Sequence, residues 1–561
     1  MTDDERVDPV TLEVVRNGCE AACEEMNATL VRTSYSPNIK ERRDCSCALF
    51  DPDGELIAQA ENLPVHLGAM PYSVAAALEA IPPESLAPGD AILLNDPYEG
   101  GAHLPDLTLV TPVYHDDELV ALAANRAHHA DVGGATAGSV AADSTEIYQE
   151  GLRIPPVKLR IGGEPNEAVY DIVTRNVRTP EERRGDLRAQ VAANETGVER
   201  VRELVGRYGR ETFRAALEAI KDYSERRMRS ELEAIPDGEY RFEDVLDGDG
   251  RGNQDLPIVA TLSVEGDEIG VDFTGTAEQT EGPVNAVFAV TASATYYAVR
   301  AVTDPDIPPN AGCYRPISID APAGTIVNPE PPAAVVGGNL ETSQRVTDVV
   351  LGAFAGIAPE RAVAGCQGTM NNVTFGGTDP RDGEPYAFYE TQAGGFGGRD
   401  GADGMDAVHV HMSNTLNTPI EVLETAYPLF VRQYSLREDT GGPGEYRGGL
   451  GLRRDIEVRD EAVCSLLADR QRHAPYGIAG GMEGTPGETY LLSDGEERPI
   501  PGKSTHRLDP GDAISLRTPG GGGYGDPADR PTEAIERDLE GGKLTSETAR
   551  DVYGYEPDGE G

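Results

Sequence analysis

Apolar positions switch between a helical and a strand period along the chain, and the switches outline its elements. Asp8-Pro9 supplies a cap and a first-turn proline, and Val10, Val14, Met26 and Leu30 predict a helix from there to about Arg32. Apolar runs either side of Asp51-Pro52-Asp53-Gly54 predict a hairpin. A short helix is expected over Val74–Ile81 and a strand over Ala91–Leu94. Leu107–Tyr114 and Glu118–Asn125 flank the tight turn His115-Asp116-Asp117 and predict a second hairpin. Glu146–Leu159 reads as a loop, and Glu181–Ile235 as a charged helical hairpin, broken near Gly206–Gly209, at the surface or a subunit contact.

The second half alternates with a period of two. Strands are expected over Tyr240–Leu246, Ile258–Val264 and Ile269–Phe273, then a helix over Ala286–Val302. Pro308–Ile319 and Gly337–Phe354 read as loop-to-helix junctions. In the latter, Asn339 or Thr342 is placed to cap a helix whose first amides favour an anion, and Glu341 shares that turn. His409 and His411 fall on one face of an expected strand, and PGGGGYGDP after Thr518 reads as a flexible turn. These elements predict a multi-lobed α+β protein with mostly antiparallel sheets and helical layers. The expected division is a lobe over 1–235, a β-rich lobe with helical inserts over 236–528, and a helical tail over 529–561.

Composition narrows the function. The formal net charge is −49, spread through the chain, with five lysines among 48 basic residues. Interspersed acid of this kind predicts salt adaptation, because molar salt shortens the Debye length to about 3 Å and screens self-repulsion. No basic patch exists to neutralise phosphates, which argues against a nucleic-acid partner. The acidic start MTDDERVDPV is unlike a signal peptide, and no apolar run is long enough for a membrane span. Seven scattered cysteines suggest reduced thiols, hence a cytoplasmic location.

The chemistry concentrates at the second hairpin. His103 and Asp106 lie three apart before its first strand, and His128-His129 follow its second. Antiparallel pairing brings these two groups to one end of the sheet, beside Gly100-Gly101 and Gly133-Gly134. Imidazole and carboxylate converging there suit one divalent metal such as zinc, manganese or iron. Strand alternation keeps His128 and His129 from pointing the same way. Glu41, Arg42, Arg43 and Asp44 crowd charge before the first hairpin, which reads either as a solvated strand entry or as a carboxylate aimed into that site, whereas His66 reads as a structural histidine in a loop. Gly502-Lys503-Ser504-Thr505 is no phosphate loop, because position 497 is glutamate. No serine or cysteine nucleophile stands out.

ERRDCSCALFDPDGELIAQA, NDPYEGGAHLPD, HHADVGG, GNLETSQR, HMSNTLNTPIE and TPGGGGYGDP, in that order, resemble the hydantoinase B/oxoprolinase family over nearly the whole chain. That family includes B subunits of N-methylhydantoinases and ATP-dependent lactamases, the C-terminal part of 5-oxoprolinases, and acetone carboxylase α subunits. The resemblance implies a hydantoinase A-type partner that binds ATP in place of this chain, in a hetero-oligomer such as a dimer of heterodimers. It also implies metal ligands at Glu41, His103, Asp106 and His128. The expected reaction is hydrolysis of a cyclic amide phosphorylated by the partner, with Asp131 or His129 relaying the proton. Asn339, Glu341, Thr342, His409 and His411 are expected near the substrate. The alternatives are carboxylation of an activated ketone, or a non-catalytic partner whose metal is structural.

Overall fold

The structure, a computed structural model, describes residues 7–60 and 62–556. The central hairpin is longer than its apolar pattern suggests, with β4 (Asp106–His115) and β5 (Glu118–His128) extending to both ends of the turn. Together with β1 (Cys45–Phe50), β2 (Leu56–Gln59), β3 (Ala91–Leu94), β6 (Val157–Ile161) and β7 (Glu164–Pro165), it forms a seven-stranded sheet. The strand order is β2-β1-β5-β4-β3-β6-β7, antiparallel throughout.

Both faces of this sheet are covered, and the period of two sorts its side chains. Ala48, Phe50, Leu122 and Ala124 pack against the helix Pro64–Ala80. Cys45, Cys47, Leu49, Ala123 and Ala127 pack against the helices Pro9–Thr33 and Pro180–Tyr208. The second of these is a core helix and not the surface element its charge suggests. Its Gln190 and Asn194 are fully buried, donating to the carbonyls of Leu107 and Leu109 and closing a network with Asn125. Buried amides are tolerable only because each finds a partner.

The remaining strands form three further sheets. Gly238–Gly248, Gln254–Glu265, Glu268–Asp272 and Ile317–Asp320 make one, which contains a parallel pairing of its last two strands. Asn372–Thr378, Pro385–Glu390, Ala462–Leu467 and Lys503–Leu508 make a second, and a five-stranded sheet includes Leu429–Leu436 and Leu452–Val458. The protein is therefore a mixed α+β fold with mostly antiparallel sheets, as its sequence pattern predicts. The largest apolar cluster runs without a break from Leu93 and Leu107 of the first sheet to Ile258, Val349 and Leu467.

Several elements differ from expectation. The helix expected from Val74 begins at Pro64 and passes through Pro71, which places His66 on its first turns and not in a loop. Gly68 explains the persistence: a side chain there would overlap Ser293 of the helix Phe288–Val302, so glycine lets the two helices cross closely. Residues 408–412 form no strand, so His409 and His411 do not share a strand face. Gly338–Thr342 is a π-helical turn containing Asn339, and Thr342 stands at the N-cap of the helix Ser343–Ala355 without a capping side-chain bond. Thr342 instead donates to the Val284 carbonyl. The segment Gly520–Gly523 is buried, not a flexible turn.

Candidate metal centre

Asp106 opens β4 and faces His128 at the end of β5 as a cross-strand pair. His103 lies one tight turn upstream, where the Asp106 N–H donates to the His103 carbonyl at 3.0 Å. This register brings both imidazoles and an Asp106 carboxylate oxygen together. One donor atom from each of the three lies within 4.8 Å of the others, and all three residues are buried. His103 Nε2 is 3.2 Å from Asp106 Oδ1, and the two imidazole rings are 5.1 Å apart.

Four donor atoms here make no well-aligned hydrogen bond despite burial: His103 Nε2, His128 Nε2 and both Asp106 oxygens, although Asp106 Oδ1 lies 3.2 Å from His103 Nε2 and 3.3 Å from His66 Nε2. Burying such groups unpaired costs roughly 1–3 kcal/mol each. Two imidazole nitrogens and a carboxylate are the donor chemistry of zinc, manganese and ferrous sites, so the triad fits a divalent metal. The surrounding groups fix the rings as supporting groups do at metal sites. His103 Nδ1 faces the Val336 carbonyl at 3.4 Å. Asn38 Nδ2 donates to the His128 carbonyl at 2.7 Å and lies 3.2 Å from its Nδ1. Tyr389 stacks on the His128 ring at 4.6 Å.

Electrostatics favours the ligating forms of Asp106 and His128. Burial alone would raise the Asp106 carboxyl, but the His103 and His66 imidazoles outweigh it and hold it well below the ordinary value. Burial and the neighbouring His103 push His128 well below the ordinary imidazole value, which keeps it neutral.

Other expected site residues lie elsewhere. Glu41 follows the short helix Pro37–Lys40 half-buried, and its carboxylate is not part of the triad. His129, one residue out of phase with His128, turns to the opposite face of the sheet, with Nε2 3.0 Å from Gln190 Oε1. Burial and Arg183 lower it to about 4. Asp131 accepts from the backbone N–H of Gly133, Gly138 and Arg178 and from the Arg178 guanidinium, so it anchors a turn. Neither residue is placed to relay a proton at the triad.

The π turn does approach the site. It begins two residues after Val336, whose carbonyl holds His103, and both Asn339 Oδ1 and Glu341 Oε2 are buried without partners. Glu341 accepts from Asn372 at 2.7 Å, and Asn372 in turn accepts from the Tyr389 hydroxyl at 3.0 Å. That chain connects the turn to the ring stacked on His128. Burial pushes Glu341 up to about 8, so it is mostly protonated at neutral pH. His409 meets Ser413 Oγ at 2.9 Å. His411 pairs with Asp348 at 3.1 Å in a separate buried cluster with Cys366.

Sequence reasoning missed His66, whose Nε2 lies 3.3 Å from Asp106 Oδ1, and from the charge cluster before β1 it took Glu41 where Asp44 is the carboxylate 3.9 Å from His66. Pro64 as a helix-opening residue was the available signal for His66. Replacing His66 with alanine is expected to weaken metal affinity about 10- to 100-fold while leaving circular dichroism unchanged. Metal titration of the apo protein checks this, and native affinity in the variant would make His66 purely structural.

The chain is similar to known proteins over nearly its whole length. The chain is 44% identical to an uncharacterized protein of Methanocaldococcus jannaschii, covering 98% of this chain and 96% of that one. It is 36% identical to a putative D-/L-hydantoinase B subunit of Pseudomonas sp. strain NS671, covering 99% and 96% respectively. With 5-oxoprolinase 1 of Arabidopsis thaliana the identity is 39% over 92% of this chain, but the match spans only 42% of that relative. The crystal structure of an ATP-dependent caprolactamase from Pseudomonas jessenii superposes with a TM-score of 0.92 at 33% identity, covering 99% of this chain and 97% of that one. A nucleotide-free acetone carboxylase shares the fold, with a TM-score of 0.89 at 19% identity and coverage of 98% and 79%. The family description for hydantoinase B/oxoprolinase matches residues 8–527, and the chain belongs to that family.

Proposed function

We propose that this chain is the metal-bearing subunit of an ATP-dependent cyclic-amide hydrolase, opening a hydantoin- or oxoproline-type ring that an A-type partner has activated with ATP. The observation that carries the reading is the triad of buried, unpartnered donors at His103, Asp106 and His128. Its relatives include a putative hydantoinase B subunit and an ATP-dependent caprolactamase.

A divalent metal held by the triad supplies Lewis-acid activation of water and of the amide carbonyl. The chain's own residues do the rest. Asp106 stays ionised between two imidazoles, and Val336, Asn38 and Tyr389 fix the rings that offer Nε2. Glu341, protonated near neutrality and free at Oε2, is the group best suited to donate a hydrogen bond or proton to the leaving nitrogen. The unpartnered Asn339 Oδ1 is suited to accept from a ring N–H. Asp44 and His66 are nearer alternatives to Asp131 and His129 for moving a proton beside Asp106. The partner holds the ATP, and the acid-rich composition suits a cytoplasm of high salt.

The test is ATP turnover by the chain co-expressed with its A-type partner in molar salt, with hydantoin, N-methylhydantoin, 5-oxoproline, or acetone plus bicarbonate. ATP-dependent ring opening of a cyclic amide is the expected result. Turnover only with acetone and bicarbonate would move the reaction to carboxylation.

A further inference from the structure

Glu150 is fully buried and forms no ion pair among the described residues. Its carboxyl faces hydrogen-bond donors instead. Oε1 accepts from the backbone N–H of Val335 and of Val336 at 3.0 Å each, and from Ser144 Oγ at 3.1 Å. Oε2 accepts from the Val335 N–H at 3.1 Å. Burial pushes the carboxyl up to about 7 against the pull of these donors. Glutamine would fill the same space with no charge to bury, so what the acid adds is a second accepting oxygen.

The two amides lead to the triad. Val336 presents its carbonyl to His103 Nδ1 at 3.4 Å. A carbonyl only accepts, so this contact puts the imidazole proton on Nδ1 and leaves the Nε2 lone pair free. The same segment is tied down just upstream: the Ile147 N–H donates to the Pro332 carbonyl at 3.0 Å, and the Tyr98 hydroxyl to that of Ala333 at 2.8 Å. Just downstream, the Gly338 N–H donates to the Val335 carbonyl at 3.0 Å and opens the π turn that carries Asn339 and Glu341. Gly134 lets the Glu150 backbone pack this closely, because a Cβ there would come within 2.8 Å of the Glu150 carbonyl oxygen.

We infer, resting on the reading of the triad as a metal centre, that Glu150 is a positioning residue for His103. Its carboxyl fixes the backbone of Val335 and Val336, and Val336 fixes the tautomer and orientation of the ligand ring. Glu150 forms no hydrogen bond with the triad itself. Its loss therefore changes the geometry of the site and not the number of ligands.

Cobalt(II) titration of the full chain, followed by its visible absorption, reads affinity and coordination together and needs neither a partner nor turnover. Glu150→Ala is expected to weaken cobalt binding about 10- to 100-fold and to shift the absorption bands, with far-UV circular dichroism unchanged. Glu150→Gln keeps one accepting oxygen and should fall between the native chain and the alanine variant. Asp106→Ala removes a ligand and should abolish the native cobalt spectrum. If it does so while a folded Glu150→Ala keeps native affinity and spectrum, Glu150 is merely structural and the inference is overturned, even if the variant melts at a lower temperature. A native spectrum in Asp106→Ala would overturn the triad reading and the role of Glu150 with it. If Glu150→Ala fails to fold, Glu150→Gln decides, and native affinity with unshifted bands would again overturn the inference.

Discussion

Asp106→Ala is expected to lower ATP-coupled turnover by about a thousandfold or more while leaving the fold intact. A thousandfold corresponds to about 4 kcal/mol of transition-state stabilisation, within what Lewis-acid and charge stabilisation provide. The size follows from position. Asp106 is the carboxylate of the triad, fully buried, with both oxygens lacking well-aligned hydrogen bonds and with His103 and His66 on either side. Its side chain supports no backbone contact, so its removal takes a ligand away without taking away an anchor. Steady-state turnover read beside far-UV circular dichroism separates the two effects. Native turnover in a folded variant would remove the triad from the reaction.

The second large effect is on stability. Gly521→Ala is expected to cost about 4 kcal/mol or more, the range reached only when a core has no room to yield. A Cβ at Gly521 would overlap the Phe396 carbonyl, and its N–H and carbonyl are already bonded to Gly449 and Gly442 at 2.9 and 2.7 Å. On either side, a Cβ would overlap the Thr440 carbonyl at Gly520, that of Tyr476 at Gly522 and that of Pro443 at Gly523. Backbone meets backbone at each point, so no flexible side chain can give way. Urea unfolding of the variant reads the cost, and a loss below about 1 kcal/mol would show that the segment can relax.

This glycine run also marks where sequence reasoning fails. Consecutive glycines signal either chain freedom or a lack of space, and local composition does not distinguish them. The partners of Gly520–Gly523 come from 365–485, too distant for any local pattern to reveal. The helix Pro180–Tyr208 misleads for a related reason: its buried face includes the polar Gln190 and Asn194, whose amides donate to the carbonyls of β4. The central hairpin was legible because its information is local. Apolar alternation gives β4 and β5, the turn sets their register, and register places Asp106 opposite His128. The same alternation separates His128 from His129. His66 was only partly legible: Pro64 signals a helix start, but Gly68 and Pro71 argue against the helix that carries it, and the close crossing at Ser293 lies outside any local pattern.

The central claim is that the triad, and not the buried Asp348–Cys366–His411 cluster, holds the metal. Diffraction from crystals of the metal-loaded protein, recorded above and below the absorption edges of manganese, iron and zinc, tests it most directly. The account predicts one anomalous peak bounded by His103 Nε2, His128 Nε2 and Asp106. A peak at Cys366 and His411 with none at Asp106, or no peak at all in crystals with measured metal content, would contradict it.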